Sequence, residues 1–140
     1  DTVDNALRKK NFLLRLRNQG NINFLTFKKP VAEQLKSSQY KEREEIEVEI
    51  SNFKNMKELL LSMGFQIFFI YEKYREVFQK EEVKIMVDQT PIGNFIEIEG
   101  EKKKIDYIAR QLGYNKKQYI VDSYFTLFKK SKKSGFMEFK

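Results

Sequence analysis

At 140 residues, with 41% apolar content, 13 Phe and 7 Tyr, the chain can bury one substantial core, so a single ordinary domain is expected despite 34% charged residues. The lack of cysteine and histidine excludes a disulfide framework, thiolate and imidazole metal sites and imidazole acid–base chemistry, so any metal must be held by oxygen. A net charge of +7, from 27 basic and 20 acidic residues, points to an anionic partner without choosing among nucleic acid, polyphosphate and nucleotide.

No apolar run is long enough to cross a bilayer and the start has no signal-peptide pattern, so a soluble, cytoplasmic protein without a membrane partner is expected. Asp1 stands where an initiator Met would, which suggests a processed chain or a fragment.

In chain order, period-two alternation predicts a strand with Leu14 and Leu16 flanking Arg15 and Arg17, and a second with Leu25 and Phe27 alternating with Thr26 and Lys28. The stretch Asn18-Gln19-Gly20-Asn21 between them suits a hairpin. After a polar joint from Pro30 to Gln39, a third strand alternates Ile46, Val48 and Ile50 with Glu45, Glu47 and Glu49. A helix follows on Phe53, Met56, Leu59, Leu60 and Met63, with Ser51 or Asn52 as N-cap and Gly64 as stop.

A fourth strand is predicted from Phe68 to Phe78, carrying Lys73 and Arg75. Gln79-Lys80-Glu81 turns the chain into a fifth, where Val83, Ile85 and Val87 alternate with Lys84, Met86 and Asp88, and in a sixth Ile96 and Ile98 alternate with Glu97 and Glu99. Two more helices are predicted, one from about Glu101 to Gly113 and one after Asn115 bearing Tyr119, Ile120, Tyr124, Leu127 and Phe128. Phe136 to Phe139 reads as a last short strand.

On the polar strand faces the charges are segregated by sign. Arg15, Arg17, Lys28, Lys73 and Arg75 sit on some strands, and Glu45, Glu47, Glu49, Asp88, Glu97 and Glu99 on others. A curled sheet of such strands encloses a charged lumen, which must hold water, ions or ligand because unpaired ions in a dry interior are costly. The apolar faces then point outward and are expected to be covered by the three helices.

Taken alone, the basic strands would fit a solvated or nucleic-acid-binding face; beside the glutamate strands that reading weakens. Lys102 to Lys104 and the cluster Lys129, Lys130, Lys132 and Lys133 read as solvated faces. Tyr119, Tyr124, Phe125 and Phe128 read as helix packing rather than a base-stacking platform.

The strings LRLR (from Leu14), TFK (from Thr26), REEIEVEI (from Arg43), EKYR (from Glu72), VDQTPIGNFIEIEG (from Val87) and SY (Ser123, Tyr124), in this order, resemble the motifs of the CYTH family, which includes class IV adenylate cyclases and thiamine and inorganic triphosphatases. The resemblance implies an α+β fold, residues 1–140 forming one antiparallel β-barrel, a triphosphate tunnel with flanking helices. It implies that Arg15, Arg17, Lys28, Lys73 and Arg75 bind a triphosphate, with Lys73 and Arg75 as candidate catalytic residues. Asp88, Glu97 and Glu99, with Glu47 and Glu49 favoured from the middle acidic strand, would hold Mg²⁺ or Mn²⁺.

The implied reaction is cyclisation of ATP to cyclic AMP and pyrophosphate. Hydrolysis of inorganic, nucleoside or thiamine triphosphate is the close alternative, and a non-catalytic polyphosphate- or RNA-binding module the distant one. ATP or another triphosphate is thus the expected partner rather than nucleic acid, and a homodimer is allowed. The family's ExExK strand has no counterpart before Asp1-Thr2-Val3-Asp4, so the chain is expected to begin after that first strand. Ser123 and Tyr124 match the family without an assigned role.

Overall fold

The computed structural model describes residues 1–31 and 39–140. Most of the predicted polar joint from Pro30 to Gln39 therefore lies outside the described residues. The chain divides into two compact units, Asp1–Phe68 and Phe69–Lys140, each built on a three-stranded antiparallel sheet.

In the first unit a one-turn helix, α1 (Ala6–Lys9), leads into β1 (Leu13–Gln19), β2 (Ile22–Pro30) and β3 (Arg43–Ile50), followed by α2 (Phe53–Ser62). β1 and β2 meet at the predicted hairpin, whose two-residue loop Gly20-Asn21 puts Gly20 at φ +62°, a left-handed conformation that glycine adopts without steric cost. Register decides which side chains share a face: Arg15 lies opposite Thr26, which lies opposite Glu47, and Lys28 lies opposite Glu45. The predicted cap of α2 is present, with Asn55 N–H donating to the Asn52 side chain at 2.8 Å.

The second unit contains β4 (Tyr74–Lys80), β5 (Val83–Thr90), β6 (Gly93–Glu99), α3 (Lys102–Gln111), a 3₁₀ turn (Lys116–Gln118) and α4 (Tyr124–Lys130). Its buried apolar residues are Val83, Met86, Ile108, Ala109, Phe128 and Met137. α3 falls where its stripe predicted, burying Ile108 and Ala109.

Four expectations need correction. The fourth strand starts at Tyr74, not Phe68, because the Phe69 ring packs on Phe125 and Phe128 at 5.2 and 5.5 Å instead of joining a ladder. The helix placed after Asn115 splits in two: Asn115 and Gln118 form a capping box around one 3₁₀ turn, and the chain stays extended through Ile120 and Val121 until Ser123 caps α4. In place of a last strand, Met137 makes a single parallel bridge to Tyr71. The apolar sheet faces are covered only in part, since Ile46 and Val48 on β3 remain 65% and 49% exposed.

The fold is thus α+β, with two antiparallel sheets and flanking helices. Pairing that would close the strands into a barrel is not among the pairings described. Among the described residues no helix is long and apolar enough to cross a membrane.

Candidate triphosphate-binding faces

The charged face of the first unit is organised by Glu47. Arg17 donates to its two carboxylate oxygens at 3.2 and 3.3 Å, Arg15 lies at 3.7 Å, and the fully buried Thr26 hydroxyl donates at 2.5 Å. Lys28 pairs with Glu45 at 2.6 Å. The strands place these groups by period two, so the cations of β1 and β2 reach the acidic row of β3 across one sheet face. Arg17 Nε is buried with no hydrogen-bond partner among the described residues, a spare donor on a cationic face. Glu49 ends the same row, opposite Phe24 and next to the Arg17 position.

In the second unit the organiser is Asp88, whose side chain has 0% exposure. Arg75 grips it side-on, Nε to Oδ1 and Nη2 to Oδ2, both at 2.6 Å. Lys73 Nζ and the Tyr124 hydroxyl also donate to Oδ2, at 2.8 and 2.6 Å. Arg75 reaches Glu97 as well, at 2.6 Å, and its Nη1 points to the Met86 sulfur at 2.8 Å. Most of Arg75's donors are therefore engaged within the protein, whereas Lys73, with three N–H groups, has one hydrogen bond to Asp88 and a longer ion pair to Glu97 at 3.8 Å.

Burial alone would raise the Asp88 pKa, but the hydrogen bonds from Arg75, Lys73 and Tyr124 outweigh it and hold the carboxyl well below the usual carboxylate range. Burial also lowers the tendency of Arg75 to be charged, yet Asp88 and Glu97 reverse that and raise its pKa. Tyr124 is pushed up, first by burial and then by its bond to Asp88, so it stays a donor.

A depressed native-state pKa means that the unfolded chain binds the proton first. The stability Asp88 contributes is therefore complete above the unfolded value of about 3.9 and is lost as pH falls below it. Urea midpoints measured from pH 7 to pH 3 should fall on acidification, and the Asp88→Asn variant should lose less over the same range; parallel curves would contradict this.

All five predicted cations thus sit on charged faces, three in the first unit and two in the second. Of the predicted metal ligands, Glu47 and Glu49 lie in the first unit and Asp88, Glu97 and Glu99 in the second, and within each unit no group of three carboxylates that could hold a metal is found among the described residues. Asp88 and Glu47 have their oxygens taken by cations and hydroxyls, which leaves no room for a metal without displacing them. Glu97 and Glu99 are two residues apart on one face of β6, and two carboxylates joined by substrate phosphates suit Mg²⁺ or Mn²⁺. Sequence reasoning missed the roles of Thr26 and Tyr124. Thr26 was visible in the alternation, between Leu25 and Phe27, as a member of the Arg15 row; Tyr124 gave no signal beyond its motif.

The CYTH domain pattern matches residues 1–124, running through both units. A Methanocaldococcus jannaschii protein provisionally named adenylate cyclase is 29% identical over 136 residues, covering 89% of this chain and 75% of its own. A conserved hypothetical protein of Pyrococcus furiosus, 27% identical, superposes with a TM-score of 0.73 over 84% of this chain and 76% of its own. A Vibrio parahaemolyticus protein, also provisionally named adenylate cyclase, shares the fold at 20% identity, with a TM-score of 0.75 over 92% of this chain and 76% of its own. With the pattern matched across most of its length, the chain belongs to the CYTH domain family.

Proposed function

We propose that this CYTH protein binds a triphosphate on its cationic strand faces and acts on ATP as an adenylate cyclase, with both units serving as parts of one CYTH domain. The observation that carries this reading is the partial burial of the cations: the side chains of Arg15, Arg17, Lys28, Lys73 and Arg75 are between 15% and 27% exposed. Solvated basic faces keep their charged heads in water. Withdrawn, carboxylate-matched cations form a cradle that is stable without ligand and can exchange carboxylate contacts for phosphate oxygens. The name of the M. jannaschii relative supports the choice of cyclase.

In this reading Arg15, Arg17 and Lys28 are the phosphate-binding cations of the first unit and Lys73 is that of the second, where Arg75, anchored on Asp88 and Glu97, adds fixed positive charge beside it. Glu97 and Glu99 would hold Mg²⁺ or Mn²⁺, which supplies further charge neutralisation to the phosphates. The ribose 3′-oxygen forms a bond to the α-phosphorus as the bond to the departing pyrophosphate breaks. With no histidine or cysteine in the chain, the hydroxyl proton passes to a carboxylate or to water.

The test is product analysis of the full-length gene product with ATP and with tripolyphosphate, each with Mg²⁺ and Mn²⁺. Cyclic AMP and pyrophosphate are expected, and their yield should collapse in Glu97→Gln. ADP with orthophosphate, or orthophosphate from tripolyphosphate, would move the assignment to triphosphatase. Tight triphosphate binding with neither product set would leave a binding module.

A further inference from the structure

Tyr124 opens α4, and the Ser123 cap, whose hydroxyl accepts from Thr126 N–H, fixes where its side chain leaves the backbone. Its ring packs against Phe95 at 5.4 Å and Tyr71 at 6.1 Å. Lys73 Nζ lies 5.0 Å from the centroid of the same ring. Tyr124 and Lys73 therefore meet twice, once through the ring face and once through Oδ2 of Asp88, to which both donate.

We propose that Tyr124 is a positioning residue that acts through Asp88 to keep Lys73 oriented toward a phosphate. A buried carboxylate oxygen must be satisfied by donors, and here Oδ2 takes three: Arg75 Nη2, Lys73 Nζ and the Tyr124 hydroxyl. Because the hydroxyl and the guanidinium carry most of that demand, the ammonium keeps N–H groups for an incoming anion. Remove the hydroxyl and Lys73 is the group with donors to spare, so it is drawn onto the carboxylate and away from the ligand. The aromatic ring alone cannot prevent this, which makes the oxygen atom of Tyr124 the element that matters.

This inference rests on the triphosphate reading and adds a residue to it. Its test is calorimetric binding of tripolyphosphate and of orthophosphate in the presence of chelator, so that no metal contributes. The proteins compared are wild type, Tyr124→Phe, Lys73→Ala and the double variant. Loss of a hydrogen bond to a charged group predicts roughly tenfold weaker tripolyphosphate binding in Tyr124→Phe. Because the effect passes through Lys73, the same substitution should change little in the Lys73→Ala background, a coupling that ring packing alone does not produce. Wild-type affinity in Tyr124→Phe, or strictly additive losses in the double variant, would overturn the positioning role. A wild-type protein that binds tripolyphosphate no better than orthophosphate would instead overturn the triphosphate reading itself, and that result needs no variant.

Discussion

Asp88→Ala is expected to lower the unfolding free energy by about 3 kcal/mol, the low end of what breaking one side of a buried ion pair costs. The carboxylate is inaccessible to solvent, and its removal strands Lys73 and Arg75 next to each other with Glu97 as their remaining counter-charge. Most of the loss comes from leaving two partly buried cations under-neutralised, not from the pair's own attraction. The half-exposed Lys29–Glu44 pair offers the internal comparison, since water already solvates both ends and Lys29→Ala should cost well under about 1 kcal/mol. Urea denaturation reads both, with an unchanged slope showing that the change lies in stability. A loss for Asp88→Ala no larger than that of the surface pair would mean that the cluster does not anchor the second sheet.

The sheets were legible because their alternation is strict. Arg15/Leu16/Arg17 and Glu45 to Ile50 keep period two without exception, and the structure pairs them in the register that puts Arg15, Thr26 and Glu47 in one row. The stretch from Phe68 to Lys73 mixes aromatics and cations on one face, and there alternation misled: the rings follow α4 while Lys73 turns to Asp88. The region after Asn115 failed for a different reason. Its apolar spacing fits a helix, but consecutive β-branched Ile120 and Val121 followed by the capping residue Ser123 favour an extended segment and a late start.

The cationic rows of the candidate site were equally plain, whereas its acidic residues divided in a way that composition cannot show. Asp88 and Glu47 are consumed by cations and hydroxyls, whereas Glu97 gives one oxygen to Arg75 at 2.6 Å and holds Lys73 at the longer distance of 3.8 Å. That division follows from which strand stands opposite which, a relation between segments far apart in the chain. It is also why Tyr124, 36 residues from Asp88, carried no readable chemistry in the sequence.

These cationic faces are proposed to hold a triphosphate in preference to a single phosphate. Without ligand these cations rest against carboxylates, and a ligand with three linked phosphates can take over more of those contacts at once than one phosphate can. Binding to the folded protein alone stabilises it by mass action, so tripolyphosphate at a hundred times its dissociation constant should add about 2.7 kcal/mol, on the order of 8 °C in melting temperature. Arg15→Ala or Lys73→Ala should shrink that shift while leaving a folded protein. The decisive measurement is a set of thermal melts with tripolyphosphate, ATP and AMP at equal concentration and constant ionic strength. Large upward shifts are expected with tripolyphosphate and ATP and a small one with AMP; equal shifts with all three, or none with any, would rule out a triphosphate-binding face.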